Sequence, residues 1–261
     1  MSSAPKKSLG QHWLHDEQSL VAMCDAVHVG ADDTVLEIGP GLGTLTAELV
    51  TRAKQVVSVE FDPDLAAQLS SRVPAKNLQV VHQDILKFDL TTLPRRYKVV
   101  ANVPYYITSK IVRLLLESQN PPSEVALLVQ KEVAERIAAA PGDMSILAVS
   151  AQLYAETDLG PIVPAELFTP PPKVDSQIIA LRLRQKPLFD IDTTEYFRVV
   201  RAGFSEKRKT LRNSLSGGLR LEKPIVERLL DQVGISPGAR AEQLDLDDWY
   251  RLASIYRNME K

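Results

Sequence analysis

The sequence is poor in the residues that build covalent or metal-bound frameworks. Its 261 residues include one cysteine, Cys24, which excludes an intramolecular disulfide framework and a thiolate metal cluster. No stretch approaches the roughly 20 apolar residues of a membrane-spanning helix, and the first residues lack the apolar run of a secretory signal. No group of side chains has the spacing of metal ligands. We therefore expect a soluble, cytoplasmic protein that binds no metal.

The sequence also lacks a strong overall charge, because its formal net charge is -2. This balance gives no general indication of an anionic partner, but the basic residues are locally concentrated. Residues 198–220 contain seven basic side chains against the single acid Glu206, and the first fifteen residues contain Lys6 and Lys7 but no acid. Such runs are either a solvated helix face or a phosphate-binding patch, and composition alone leaves both interpretations open.

Short β-branched runs alternate with helical patterns along the first half of the chain. The near-continuous apolar character of these runs indicates parallel strands that are buried on both faces. Their alternation with helices predicts βαβ units in a doubly wound sheet. The predicted strands are 34–38, 55–60, 78–82, 97–103 and 125–130, and the predicted helices are 44–52, 63–72, 109–118, 131–140 and 145–154.

The pattern then changes, with two further strands at 157–163 and 174–184 that are close enough in sequence to pair antiparallel. Seven strands ending in an antiparallel pair are typical of a methyltransferase sheet, whereas a dinucleotide-binding domain would end in a sixth parallel strand. Everything beyond Pro187 has helical character. We therefore predict a Rossmann-like methyltransferase domain over residues 1–186, including an N-terminal RNA-binding and cofactor-lid segment. An all-helical RNA-binding domain is predicted over 187–261.

A glycine-rich segment, EIGPGLG at residues 37–43, stands where the first predicted strand ends and a helix begins. Gly39 and Gly41 allow a tight turn and a close approach of a ligand to the backbone. Glu60 ends the second strand, where an acid accepts hydrogen bonds from ribose hydroxyls, and Asp84 follows the third. The combination indicates an adenosine-type cofactor, and the G-x-G-x-G spacing favours S-adenosyl-L-methionine over NAD.

The tetrapeptide Asn102-Val103-Pro104-Tyr105 ends the fourth predicted strand, at the edge where open α/β sheets bind ligands. An exocyclic amino group is a poor nucleophile because its lone pair is delocalised into the ring. Two acceptors, the Asn102 side-chain oxygen and the Val103 carbonyl, would favour a tetrahedral nitrogen that attacks a methyl sulfonium. Pro104 restricts Val103 to extended geometry, and Tyr105 offers a ring for base stacking. The alternative interpretation is a strand followed by an ordinary turn.

These motifs, with others in the same order, resemble the KsgA (RsmA) family of ribosomal RNA adenine dimethyltransferases nearly end to end. The sequence departs from the family's pattern at His12 and Tyr106, where Asn is usual, and at Val103, where Leu is usual. Tyr106 lies beside the target pocket and is expected to affect the rate or the passage from mono- to dimethyl product. The further matching blocks are KSLGQHWL (7–14), QD (83–84), QKEV (130–133), FTPPPKVDS (168–176), FSEKRKTLRNSL (204–215) and RAEQL (240–244).

The resemblance implies a set of site residues. In such an enzyme Phe168 would face Tyr105 across the target adenine, beside the catalytic residues Asn102, Val103 and Pro104. The S-adenosylmethionine site would be lined by His12, Leu14, Gly39, Gly41, Glu60, Asp84 and Asn102. The expected contacts to RNA phosphates are Lys207, Arg208, Lys209 and Arg212, with help from Lys6 and Lys7.

The resemblance also implies a substrate and leaves alternatives to test. The expected products are two adjacent N6,N6-dimethyladenosines near the 3′ end of 16S rRNA, made during ribosome biogenesis. The expected partner is small-subunit rRNA within an assembling 30S subunit, with the enzyme acting as a monomer. One alternative is an Erm-type 23S rRNA adenine methyltransferase, and another is a non-catalytic ribosome-assembly or transcription factor. A NAD-dependent dehydrogenase would leave residues 102–105 and the basic run unexplained.

Overall fold

The computed structural model describes residues 5–6 and 9–259. The described chain divides into two compact units. The first unit holds the residues up to Glu135 together with Ala155–Arg184, and the second holds Arg136–Tyr154 together with the residues from Gln185 onward. Each unit has its own apolar core.

The first unit is built on β-strands. Its strands are β1 (Trp13–Leu14), β2 (Thr34–Ile38), β3 (Gln55–Glu60), β4 (Leu78–His82), β5 (Lys98–Asn102), β6 (Glu124–Gln130), β7 (Ala155–Val163), β8 (Phe168–Thr169) and β9 (Ser176–Leu183). Seven of them form one sheet in the order β4-β3-β2-β5-β6-β9-β7, in which the strands from β2 to β6 run parallel. Strand β9 is antiparallel to both of its neighbours, and β1 pairs with β8 in a separate antiparallel ladder.

Helices connect the parallel strands of this sheet. Asp16 and Asp62 cap the first and third helices by accepting hydrogen bonds from backbone N–H groups of the first turn. Apolar residues of the first two helices, such as Met23 and Leu49, are buried in one core with residues of the sheet. The helices are α1 (Glu17–Asp25), α2 (Thr44–Arg52), α3 (Pro63–Arg72), α4 (Thr108–Leu116) and α5 (Lys131–Ile137), the last of which ends in the second unit.

The parallel direction of β2 to β5 brings their carboxyl ends to one edge of the sheet. The glycine-rich turn follows β2, Glu60 is the last residue of β3, Asp84 follows β4, and Asn102 is the last residue of β5. Residues that are up to 65 positions apart in sequence therefore meet at the edge where such sheets bind ligands.

The second unit is helical, with a core centred on the fully buried Trp249 and Tyr196. Residues 136–154, which the sequence analysis placed in the first domain, group with this unit because Ala148, Val149 and Leu153 are buried in its core. The helices are α6 (Ile146–Tyr154), α7 (Thr193–Gly203), α8 (Leu211–Leu219), α9 (Lys223–Gln232) and α10 (Leu246–Met259). Across both units, no helix within the described residues has the length and apolar character needed to cross a bilayer.

The predicted Rossmann-like sheet with its antiparallel last strand and the helical C-terminal region are confirmed. The first three predicted strands of the large sheet and the first two predicted helices have the observed bounds. Helix α1 and the ladder between β1 and β8 were not predicted. Each strand of that ladder is two residues long, too short to show a periodic pattern, and their pairing depends on a contact across about 150 residues of sequence.

Candidate active site

A cleft of about 240 Å³ opens at the carboxyl ends of β2 to β5. Residues 9–14 of the N-terminal segment form a further wall of it. Most of the site residues expected from the sequence therefore come together. The predicted residues that line the cleft are His12, Leu14, Gly39, Gly41, Glu60, Asp84, Asn102, Val103, Pro104 and Tyr105.

The glycine-rich turn leaves room for a ligand beside its backbone. Gly39 has a φ of 68°, and a Cβ built on it would meet no atom within 4 Å. Gly41 has a φ of 59°, and its Cβ would lie 3.3 Å from Cδ1 of Trp13, so the indole packs directly on this α-carbon. Both positions adopt the left-handed region that L side chains rarely occupy, which explains the need for glycine.

Glu60 is held in one orientation at the end of β3. Its side chain is buried, and its two oxygens accept hydrogen bonds from the backbone N–H groups of Gly41 at 3.1 Å and Asp62 at 2.8 Å. Burial raises the pKa of this carboxyl, and the two backbone hydrogen bonds partly oppose that shift. Each carboxylate oxygen has a second lone pair, so Glu60 is able to accept further hydrogen bonds from a ligand.

A second acid, Glu37, lines the cleft and was not singled out from the sequence. It is 1% exposed, and its Oε2 accepts hydrogen bonds from the hydroxyls of Thr46 and Ser58. Its Oε1 has no hydrogen-bond partner in the described part of the chain. Burial raises the pKa of Glu37 to about 7, against the two hydroxyl hydrogen bonds, and the nearby charge of Glu60 raises it further. The cleft therefore contains one buried carboxyl that titrates near neutral pH.

The amide of Asn102 is oriented by the N-terminal segment. Its Nδ2 donates a hydrogen bond of 3.1 Å to the backbone carbonyl of His12. Because a carbonyl only accepts, this contact fixes which end of the amide faces His12 and leaves Oδ1 as the available acceptor. Val103 is 2% exposed and lies next to Pro104, which precedes the short 3₁₀ turn Tyr105–Ile107.

The ring of Tyr105 is held at its edge and on one face. Its hydroxyl lies 2.6 Å from Oγ of Ser176, which is fully buried. Its ring is stacked with the imidazole of His12, with 5.8 Å between centroids and 16° between planes. Burial raises the pKa of the hydroxyl, so the ring is neutral at physiological pH.

The structure buries Phe168, which was expected to face Tyr105 across the target adenine. Phe168 is 2% exposed, does not line the cleft, and is buried in the apolar core of the first unit with Leu14 and Leu20. The physical reason is the ladder between β1 and β8, in which Phe168 is the register partner of Leu14. The burial of Phe168 therefore argues against the expectation that it faces Tyr105 across the cleft.

Two of the predicted basic residues lie in the N-terminal segment. The Nζ of Lys6 lies 2.9 Å from carboxylate oxygens of both Asp62 and Asp64, and these acids raise the pKa of the ammonium. Lys6 is thus ion-paired with the start of α3 in this structure, and its expected contact with RNA phosphates remains a prediction. Lys7 lies outside the described residues.

The other four basic residues lie in the second unit, in and around the segment between α7 and α8. Lys207 and Arg208 are exposed. Lys209 is also exposed and pairs with Glu206 at 2.6 Å, and Arg212 pairs with Glu227 at 2.7 Å. Exposed ion pairs of this kind exchange readily with other partners, because their net stabilisation is about 0–1 kcal/mol.

Three aromatic residues of the cleft were not predicted as ligand contacts. Phe61 follows Glu60 directly and is 56% exposed, and Tyr106 is 63% exposed beside Gly10. Trp13 is buried, and its indole N–H has no hydrogen-bond partner among the described residues. A large aromatic side chain directly after a strand-ending acid is the signal that identifies Phe61 from sequence.

The sheet order and the strand-end cleft define the class of the protein, a Rossmann-like methyltransferase. Residues 2–258 match the family described as ribosomal RNA adenine dimethylase. The chain belongs to this family, which confirms the resemblance inferred from its motifs.

Named relatives agree with this assignment. The chain is 41% identical to a ribosomal RNA small subunit methyltransferase A of Dehalococcoides mccartyi (strain CBDB1), with 96% of this chain and 88% of the relative covered. It is 40% identical to the protein of the same name in Geobacillus thermodenitrificans (strain NG80-2), with 95% and 90% covered.

Two solved structures are similar over nearly the whole chain. A dimethyladenosine transferase from Plasmodium falciparum has a TM-score of 0.82 at 27% identity and covers 95% of this chain and 98% of its own. The 23S rRNA methyltransferase ErmE has a TM-score of 0.76 at 33% identity, with 93% and 98% covered. The fold is therefore shared by a dimethyladenosine transferase and a 23S rRNA methyltransferase, so the fold by itself does not identify the ribosomal RNA that is methylated.

Proposed function

We propose that this enzyme transfers methyl groups from S-adenosylmethionine to the N6 amino groups of two adjacent adenosines near the 3′ end of 16S rRNA. The observation that carries this proposal is the amide of Asn102, which is oriented by His12 so that Oδ1 is left to accept from a target amine. The choice of small-subunit rRNA rests on relatives of 40–41% identity that are named small subunit methyltransferase A.

The cleft fits an S-adenosylmethionine molecule. Gly39 leaves open space beside the backbone, and Glu60 keeps lone pairs for ribose hydroxyls. Glu37 Oε1 and the Trp13 N–H, which have no hydrogen-bond partner within residues 5–6 and 9–259, supply an acceptor and a donor of the kind that an amino-acid moiety would satisfy. Asp84 accepts from the N–H of Leu86 through one oxygen, which leaves the other to accept from the adenine amine. When bound here, S-adenosylmethionine supplies an electrophilic methyl group.

Asn102 and Val103, at the end of β5, prepare the N6 amino group of the target adenine as the nucleophile. Oδ1 of Asn102 and the carbonyl of Val103 accept hydrogen bonds from the two hydrogens on N6, which favours a tetrahedral nitrogen with a localised lone pair. Pro104 keeps Val103 extended and holds that carbonyl in place. A general base is not required, because the methylated ammonium is acidic enough to lose its proton to water.

Tyr105 provides the stacking surface for a target adenine that has been flipped out of its RNA helix. Extruding a base costs a few kcal/mol, and stacking on an aromatic side chain returns about 1–3 kcal/mol. Since Phe168 is buried in the core, Tyr105 is the ring of the predicted pair that is available in the cleft. We assign Phe168 to the core support of the ladder between β1 and β8.

The substrate assignment is tested by mapping methylated adenines by mass spectrometry after incubation with unmethylated ribosomal subunits. The expected result is two adjacent dimethyladenosines near the 3′ end of small-subunit rRNA. Methylation of large-subunit rRNA alone would establish the Erm-type alternative, which the similarity to ErmE makes the second candidate. Parallel reactions with naked 16S rRNA test whether an assembling 30S subunit is required. We further propose that the enzyme acts as a monomer in the cytoplasm.

Glu60→Ala is expected to weaken binding of S-adenosylmethionine by about 10- to 100-fold. The reason is the loss of charge-assisted hydrogen bonds to ribose, worth about 1.5–3 kcal/mol. Isothermal calorimetry on the folded variant measures this directly, with Glu60→Gln as the matched control that retains shape and one acceptor. Unchanged affinity in Glu60→Ala would remove Glu60 from the cofactor site.

Replacing Lys207, Arg208 and Lys209 together with Ala is expected to flatten the salt dependence of RNA binding. Each lost phosphate contact lowers the slope of log affinity against log salt by about 0.7–0.9, so the triple variant should lose a slope of about 2–3. Filter binding of 16S rRNA fragments at several salt concentrations measures the slope, and affinity for S-adenosylmethionine should be unchanged.

A matched control removes the same charge from the first unit. Lys54, Lys76 and Lys87 are exposed and lie on other connections of the sheet. Their replacement by Ala should leave the slope close to that of the wild type. Equal slopes in the two triple variants would show that residues 207–209 are only a solvated surface.

A further inference from the structure

His12 joins three parts of the first unit through three separate contacts. Its Nδ1 lies 2.7 Å from the carbonyl of Pro170, its own carbonyl accepts from Asn102, and its ring is stacked with Tyr105. Because the Pro170 carbonyl only accepts, Nδ1 carries the hydrogen and donates it. The imidazole is therefore fixed in both tautomer and orientation.

The ring of Tyr105 is fixed by this imidazole together with Ser176. The contact between its hydroxyl and Ser176 holds the far end of the ring, and His12 packs on one of its faces. A ring held at its edge and on one face keeps its plane, and Tyr105 lines the cleft in this orientation. Near-parallel aromatic rings with centroids 4.5–7 Å apart attract one another, so the imidazole stabilises this orientation.

We propose that the side chain of His12 is a positioning residue for the target base. Its imidazole supports one face of Tyr105, so that the flipped adenine stacks on the opposite face and completes a three-layer stack of imidazole, phenol ring and adenine. This inference rests on the proposed function, and it concerns the ring of His12 rather than its backbone carbonyl. Asparagine, which is usual at this position in the family, would supply a donor for the Pro170 carbonyl but no ring.

Two substitutions separate the ring from the hydrogen bond. His12→Phe keeps an aromatic ring and loses the donor, whereas His12→Asn keeps a donor and loses the ring. We expect single-turnover methylation of unmethylated small subunits, at saturating S-adenosylmethionine, to be faster in His12→Phe than in His12→Asn, because only His12→Phe keeps the ring. In His12→Asn we expect it to be slower by roughly 3- to 10-fold, as for the loss of one aromatic pair. The concentration of subunits at half-maximal rate should change little, because phosphate contacts dominate RNA affinity.

A double-mutant cycle with Tyr105 tests whether His12 acts through that ring. In the background of Tyr105→Ala, the further change His12→Asn should have no additional effect on the single-turnover rate, because the ring that it supports is gone. Additive losses, or a His12→Phe variant as slow as His12→Asn, would overturn the proposal. Because His12 also lines the cofactor cleft, calorimetry with S-adenosylhomocysteine on each variant sets the cofactor concentration at which the rates are compared. If the proposed function were wrong, the wild-type enzyme itself would not form dimethyladenosine in small-subunit rRNA. That outcome is distinct from a failure of the proposal for His12, which concerns only the variants.

Discussion

Replacing Asn102 with alanine is expected to slow methyl transfer about 100- to 1,000-fold, by analogy with the removal of one preorganised transition-state hydrogen bond. The acceptors act mainly as N6 develops positive charge, so the loss should appear in kcat rather than in RNA affinity. The contact between Nδ2 and the His12 carbonyl strengthens this expectation, because it holds Oδ1 in place before the base arrives. Single-turnover rates on unmethylated small subunits measure the effect.

The matched control for this prediction is Val103→Leu. Only the backbone carbonyl of Val103 takes part in the proposed chemistry, and Leu is usual at this position in the family, so the variant should be nearly silent. Because Asn102 also lines the cofactor cleft, all rates are compared at saturating S-adenosylmethionine. Near-normal transfer by Asn102→Ala, or a Val103→Leu variant that is equally slow, would contradict the role assigned to residues 102–105.

The residues at the strand ends were predictable because a βαβ pattern determines where each strand stops and which edge of the sheet it reaches. Glu60, Asp84 and Asn102 were assigned to one edge from hydrophobic runs alone, and the structure brings all three into one cleft. Such local patterns are strong because buried parallel strands require near-continuous apolar residues. The placement of these residues therefore followed from the sequence, whereas their roles remain predictions.

Other features depended on contacts that no local pattern encodes. Phe168 is buried because β8 pairs with β1, and Lys6 is ion-paired because the N-terminal segment reaches the start of α3. Aromatic and basic side chains look the same in a sequence whether they face a ligand or a neighbouring element. The stacking of His12 on Tyr105 is another contact that no local pattern encodes, since 93 positions separate the two residues.

The buried acid Glu37 was not identified from the sequence, for a related reason. Glu37 stands one residue before the end of β2, where the sequence does not show which acids are buried. Only the structure shows that it is 1% exposed with one oxygen unpartnered in the described chain. Burial then dominates over its two hydroxyl hydrogen bonds and raises the pKa of Glu37 to about 7. A carboxyl with that pKa makes the stability of the cofactor-free protein depend on pH.

Replacing Glu37 with Gln should stabilise the protein at pH 8 but not at pH 4.5. Below the unfolded pKa of about 4.5, Glu37 is protonated in both states and adds no penalty. As the pH rises towards 7, the unfolded chain releases this proton and the folded protein retains it, so the contribution of Glu37 to the free energy of unfolding falls. The fall is on the order of 3 kcal/mol and is complete above the folded pKa.

Equilibrium urea unfolding of the cofactor-free protein between pH 4.5 and 8 measures this effect as the difference between Glu37→Gln and the wild type. Taking the difference removes the titration of every group that the two proteins share. The difference should grow between pH 4.5 and 7 and then level off, because Gln stays neutral and still offers an oxygen to Thr46 and Ser58. The exposed Glu132 provides the control, because Glu132→Gln makes the same chemical change outside the cleft. A constant difference for Glu37→Gln across this range would mean that Glu37 ionises in the folded cleft as readily as in the unfolded chain.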